Sequence, residues 1–163
     1  MSSPERVFLK TPVGYLEVIG SKKGISGINF LKFHVKVTRT PHNLKDCVLQ
    51  LNEYFAGTRK DFTVKLDLEG TPFQMKVWEQ VLKIPYGTTI SYFELARRVG
   101  DIRALRAVGG ANANNPVPII IPCHRVIGAD GRLMGYGGGL KLKKWLLEHE
   151  HALAQRDLFY SKV

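Results

Sequence analysis

Asn115-Pro116-Val117-Pro118-Ile119-Ile120-Ile121-Pro122-Cys123-His124-Arg125-Val126 is the stretch around which the chain is organised. Its three prolines fix backbone dihedrals and remove amide donors, which rules out helix interior. The residue before each proline is pushed towards extended geometry. Residues 119–121 therefore read as a short buried extended segment. Cys123 follows a stiff apolar approach, and a nucleophile held this way needs little reordering when it reacts. A lone cysteine is most often a small core hydrophobe. Here His124 and Arg125 shift the reading towards chemistry, because cationic or proton-accepting neighbours lower a thiol pKa. The thiolate is the reactive form.

Upstream of this stretch lies a candidate helix-turn-helix. Thr71 can cap a helix, and Pro72 fits its first turn. Phe73, Val77, Trp78, Val81 and Leu82 form one apolar face, and Pro85-Tyr86-Gly87 ends the helix. Ser91 and Glu94 have capping-box spacing, with Glu94 expected to reach back. That helix runs to Val99, and Gly100 closes it. Asp101 then caps a second helix carrying Arg103, Ala104, Leu105, Arg106 and Ala107. Such a pair places its second helix on DNA, but short helix pairs also serve as scaffolding. Gly109-Gly110 lowers helix stability and permits close backbone approach.

Downstream, Asp130-Gly131 reads as a tight turn. Gly135-Tyr136-Gly137-Gly138-Gly139 lacks the Lys-Ser/Thr of a phosphate-binding loop. One aromatic in a mobile loop fits either a pocket lid or a simple turn. Residues 140–150 form a last amphipathic helix, with Leu142, Trp145, Leu146 and His149 on one side.

The amino-terminal part has no motif that carries chemistry. Residues 6–31 alternate as strands broken by Thr11-Pro12-Val13-Gly14 and Ser21-Lys22-Lys23-Gly24. Leu44, Val48, Leu51 and Phe55 recur at helical spacing, with Cys47 as core and Gly57 as the stop. Phe62, Val64, Leu66 and Leu68 alternate as one strand. Glu69-Gly70-Thr71-Pro72 marks the boundary. The division is residues 1–69 as an α/β support domain, 70–151 as the chemical domain, and 152–163 as a tail.

Length and composition bound the rest. The chain has 163 residues, and Lys+Arg 24 against Asp+Glu 14 gives +10. That charge points to a polyanion, nucleic acid before an anionic membrane. No apolar run approaches a membrane span, and residues 1–10 show no secretory signal. Two cysteines are too few for a disulfide framework or a cysteine-rich zinc site. A reduced, intracellular setting is expected.

From about Thr71 to Glu150 the chain resembles the O6-alkylguanine-DNA alkyltransferases. The resemblance rests on Asn-Pro-Val-Pro and Ile-Pro-Cys-His-Arg-Val, on Ile90-Ser91-Tyr92 and on Arg106-Ala107-Val108-Gly109-Gly110-Ala111. Gly135 to Gly139 and Trp145-Leu146-Leu147-Glu148-His149-Glu150 extend it. It implies an α/β (α+β) chain with a small RNase-H-like amino-terminal domain and a winged helix-turn-helix-like, mostly helical carboxy-terminal domain. It implies Cys123 as alkyl acceptor, His124 as base through an ordered water, and Glu150 as the group that orients the histidine. Asn115 would hold the turn, and Tyr92 would give a proton to the leaving guanine. Tyr136, Gly137, Val126 and Pro118 would contact the flipped base. Some relatives have Ser where Gly137 stands, which leaves the backbone donor but no hydroxyl. Arg106 would fill the vacated space, with Ala104, Ala107, Gly109 and Ser91 at the minor groove of double-stranded DNA.

The implied activity is direct-reversal DNA repair by a monomer, one alkyl group per molecule, from O6-alkylguanine, with O4-alkylthymine left open as a second substrate. No cofactor is implied. Residues 1–69 hold one cysteine, so the zinc site of some relatives is not expected. The site of action would be the cytoplasm, or the nucleus of a eukaryote. Two other classes compete. One is a module that binds alkylated bases without transfer, whose relatives lack the cysteine. The other is a Cys-His hydrolase, which leaves the charge and the helix pair without a purpose.

Overall fold

The computed structural model describes residues 3–128, 131, 133 and 136–152. The expected Asp130-Gly131 turn, Gly135 and the tail beyond residue 152 fall wholly or partly outside them. The chain divides into two compact units, one taking residues up to Glu69 together with Pro116–Pro118, the other Gly70–Asn115 and the chain from Ile119 onward.

In the first unit β1 (Glu5–Thr11), β2 (Gly14–Ser21) and β3 (Gly24–Leu31) form an antiparallel sheet in chain order. The period-two pattern fixes its register, because one face is apolar. Val7 lies opposite Val18 and Leu9 opposite Leu16, and all four are buried. A short 3-10 turn (His42–Leu44) leads into α1 (Lys45–Phe55). Leu51, Tyr54 and Cys47 of α1 are buried, and burial pushes the Cys47 thiol up to about 12. Gly57 takes φ +82 after the helix, where a side chain would be strained. The expected strand over residues 62–68 is reduced to one parallel bridge, Leu66 to Ile25. Alternation alone does not supply a partner edge. Here the hydrogen bonds are Ile25 N–H to Lys65 O and Asp67 N–H to Ile25 O. Pro116 O accepts from Ile28 N–H.

In the second unit Thr71 caps α2 (Pro72–Leu82) with a full capping box to Gln74. α2 buries Val77, Trp78 and Val81, and Trp78 Nε1 donates to Ala111 O at 2.8 Å. β4 (Ile90–Ser91) then leads into α3 (Tyr92–Val99). Ser91 caps α3 by accepting from Glu94 N–H at 2.9 Å. Glu94 does not reach back as expected. Its carboxylate is held by Arg97 and Arg98, at 2.7 and 2.8 Å. Gly100 closes α3 at φ +106. Asp101 does not cap the next helix either, because its side chain accepts from Arg103 N–H in the intervening turn. α4 (Leu105–Ala113) begins four residues later.

The stretch before the cysteine is a turn rather than an extended segment. Ile119 has φ +77 although it is β-branched and 1 % exposed. That conformation is costly for such a side chain and persists only where its surroundings impose it. A 3-10 turn (Cys123–Arg125) follows, then β5 (Val126–Ile127), paired in parallel with β4. α5 (Leu140–His149) ends the described chain. Its buried face is Lys143, Leu146 and Leu147, continued by Glu150. The expected stripe was rotated: Trp145 and His149 stack on each other at 4.8 Å, only partly buried.

Candidate active site

Cys123 lies at the head of its 3-10 turn and is 6 % exposed. The preceding Pro122 takes φ −80, ψ 62, an inverse γ conformation, and Cys123 N–H donates to Ile121 O at 2.7 Å. Asn115 Nδ2 donates to the same carbonyl at 2.7 Å and its amide also hydrogen-bonds the thiol. The turn is thereby braced from two sides, and the sulfur has little freedom.

His124 and Glu150 are both fully buried, with His124 Nε2 2.7 Å from Glu150 Oε2. Arg125 completes the cluster. Its Nε donates to Glu150 Oε1 at 2.8 Å, its Nη2 to Oε2 at 3.1 Å and its Nη1 to Ile84 O at 2.7 Å. Burial alone raises the Glu150 pKa, but the hydrogen bonds from His124 and Arg125 and the Arg125 charge outweigh it and hold the carboxyl at about 2. Arg125 supplies the cation that faces this carboxylate. Burial pushes the His124 pKa down, Glu150 partly offsets this, and Arg125 and Lys143 add to it. The imidazole is therefore neutral beside an ionised carboxylate. Nε2 carries the hydrogen and donates it to Glu150, and the Nδ1 lone pair is the basic one. Nδ1 is buried and has no hydrogen-bond partner among the described residues.

The thiol itself departs from expectation. Burial pushes Cys123 up to about 11, against the opposing effects of the Asn115 amide and the Lys143 charge. Sequence adjacency placed Arg125 beside the sulfur, but its guanidinium is committed to Glu150 and Ile84. The cation that acts on the thiol is Lys143. Its Nζ is buried, donates to Val126 O at 2.6 Å and lies 5.7 Å from the Tyr92 ring centroid. Burial brings its pKa down to about 8, with the Cys123 charge opposing.

Two residues of this site were not singled out from sequence, Lys143 and Asn112. Asn112 is 3 % exposed, and its Nδ2 donates to Cys123 O at 3.3 Å. Both stand at apolar positions of a helical stripe, Asn112 with Val108 and Ala111, Lys143 with Leu146 and Leu147. A polar residue at i, i+3, i+4 spacing with buried apolar ones is the signal that would have found them.

The remaining candidates divide by exposure. Tyr92 and Tyr136 are half-buried. Both phenols are pushed up chiefly by burial, Tyr136 strongly, with Cys123 adding to each. Val126 is buried, and its carbonyl holds Lys143. Pro118 is buried and belongs to the first unit. Gly137 is exposed, and a Cβ there would meet nothing. On α4, Arg106 and Ala107 are exposed, Ala104 and Gly109 partly so, and a Cβ at Gly109 would meet nothing within 4 Å. The Ser91 hydroxyl is taken by its cap.

A buried cysteine next in sequence to a buried His124–Glu150 pair, and an exposed helix after a short turn, lie in one compact unit and fit a DNA-directed protein that works through a cysteine. Comparison with known proteins agrees. Residues 72–152 match the 6-O-methylguanine DNA methyltransferase, DNA binding domain, and residues 6–68 the ribonuclease-like domain of the same family. A methylated-DNA–protein-cysteine methyltransferase of Mycobacterium tuberculosis is 46% identical over 155 residues, covering 92% of this chain and 94% of that protein. One from Methanosarcina acetivorans is 44% identical over 147 residues, covering 86% and 94%. The crystal structure of the M. tuberculosis O6-methylguanine methyltransferase superposes with a TM-score of 0.83 at 44% identity, covering 96% of this chain and 98% of that one. A structure of the same organism's protein in complex with DNA gives 0.80 at 46% identity, covering 93% and 95%. The chain belongs to the 6-O-methylguanine DNA methyltransferase family.

Proposed function

We propose that this chain repairs DNA by direct reversal, moving the alkyl group of O6-alkylguanine to Cys123 in one irreversible event. The observation that carries this reading is the buried Cys123 thiol beside a neutral His124 locked to Glu150. Such a thiol is a poor nucleophile at rest and reacts once a neighbouring base takes its proton. His124 Nδ1 is that base, through a bridging water, and Lys143 steadies the thiolate. Sulfur displaces guanine from the alkyl carbon in line, and the thioether formed resists hydrolysis. Each molecule therefore acts once, and the step needs no cofactor.

Tyr92 gives a proton to the leaving base, and Asn115 holds the nucleophile's turn. Tyr136 walls the pocket, with Gly137, Val126 and Pro118 as further base contacts. A base in a duplex is out of reach of a buried sulfur, so the nucleotide is flipped. Arg106 fills its place, with Ala104, Ala107, Gly109 and Ser91 along the minor groove. O4-alkylthymine carries the same alkyl–oxygen bond and is the second substrate to test. The protein works as a monomer where thiols stay reduced, in the cytoplasm or a eukaryotic nucleus. No helix among the described residues is long and apolar enough to cross a membrane.

The test is intact mass after incubation with duplex DNA containing O6-methylguanine. The expected result is one added methyl, mapped to the Cys123 peptide, with guanine restored. A folded protein that binds the duplex and gains no mass would instead be a recognition module. In the same assay Arg106→Ala should slow transfer from duplex more than from free alkylguanine, and equal slowing would remove its role in flipping.

The pH dependence carries a sign. Folding lowers the His124 pKa below its usual 6.5, so the ring stays a base below that pH. The acid limb of the single-turnover rate is expected below pH 6.5, not at it. A limb above 6.5 would contradict a neutral buried histidine.

A further inference from the structure

Asn112 is a polar residue where packing calls for an apolar one. It sits in the last turn of α4, on the buried stripe with Val108 and Ala111. Burying an amide is costly unless its groups are hydrogen-bonded, yet Asn112 Oδ1 has no partner among the described residues. Its Nδ2 is engaged, donating to Cys123 O at 3.3 Å. The same side chain hydrogen-bonds the Tyr92 hydroxyl in the sense that favours the ionised phenol, with the amide N–H towards the phenol oxygen. One amide thus touches the backbone of the nucleophile and the hydroxyl of the tyrosine.

We propose that Asn112 is a positioning residue that sets the Tyr92 hydroxyl for proton donation to the leaving base while holding the Cys123 carbonyl. A phenol oxygen that accepts from Asn112 keeps its own hydrogen for an acceptor outside the protein, and a ring nitrogen of the alkylated base is such an acceptor. In the transfer the sulfur–carbon bond forms and the carbon–oxygen bond breaks, its electron pair going to the purine. The Tyr92 proton goes to the ring nitrogen. The thiol proton goes to His124 and returns through solvent to the tyrosine, so charge and protons balance. Asn112 also favours the phenolate left behind. This inference rests on the alkyltransferase reading.

The test compares two methyl donors and two residues at position 92. O6-methylguanine in duplex DNA needs its leaving group protonated, whereas methyl iodide releases iodide, which does not. Asn112→Leu, close in volume, is expected to slow Cys123 methylation by O6-methylguanine about tenfold, a modest part of what general acid catalysis contributes. Methylation by methyl iodide should stay within about twofold, and in a Tyr92→Phe background Asn112→Leu should cost no further rate. Asn112→Ser, which keeps a donor, should lose less, and it carries the same comparison if the leucine variant does not fold. Equal slowing towards both donors, or an equal loss with Tyr92 and with Phe at 92, would overturn the proposal. Failure of the wild-type protein to gain any methyl from the DNA would overturn the alkyltransferase reading instead.

Discussion

Cys123→Ala is expected to abolish methyl transfer while leaving duplex binding within about twofold of wild type. The substitution removes one sulfur from a site that the exposed face of α4 does not share. Ala is a modest loss of volume at this buried position, with a stability cost expected near 1 kcal/mol, the centre of the range for point substitutions. Chemistry and binding should therefore separate. Intact mass and a gel-shift titration on the same preparation check this. Loss of both activities on a folded variant would mean that binding and chemistry are not separable.

Glu150→Ala should have the second largest effect, on stability as well as rate. The carboxylate accepts from His124, twice from Arg125 and, at 3.5 Å, from Gly87 N–H. Removing it leaves the Arg125 guanidinium buried, still donating to Ile84 O but without its anion. Breaking a buried ion pair by deleting one member costs about 3–5 kcal/mol. His124 also loses the acceptor that fixes its tautomer, so transfer should fall about 10²-fold or more. Urea denaturation and single-turnover kinetics test the two effects. A variant as stable as wild type would show that Arg125 finds water or another acceptor.

The same carboxylate gives wild type an acid limit. Its folded pKa of about 2 lies below the ordinary 4.5, so its contribution to stability is full above pH 4.5. It is lost as pH falls from there towards 2. The alanine variant should lack this segment of the acid denaturation curve.

The elements that sequence reading placed well are those fixed by local chemistry. Thr71 and Ser91 start helices because their side chains satisfy orphan amides, Pro72 fits a first turn that needs no amide donor, and Gly100 ends a helix because it takes φ +106 freely. A short motif and its resemblance mark Cys123, His124 and Glu150 as candidates, and the structure pairs His124 with Glu150. The expected caps from Glu94 and Asp101 were diverted by arginines two to four residues on, and other differences were decided by partners distant in the chain. Residues 62–68 alternate, yet a strand needs an edge to pair with. Arg125 follows the cysteine by two residues, yet its guanidinium goes to α5. Lys143 was hidden because its face was drawn around Trp145 and His149, one step round the helix. The thiol pKa follows burial rather than the basic neighbours in sequence.

That buried, protonated thiol has a consequence for how the protein survives before it meets damage. At pH 7 a thiol with a pKa near 11 is ionised in only about one molecule in ten thousand. Oxidation and stray electrophiles act on thiolates, and accessible ones first. Cys123 is therefore a guarded sulfur, slow to react with peroxide and passing alkylators while it keeps its proton. For a protein whose working life is a single reaction, a sulfur that rests protonated is one kept in reserve.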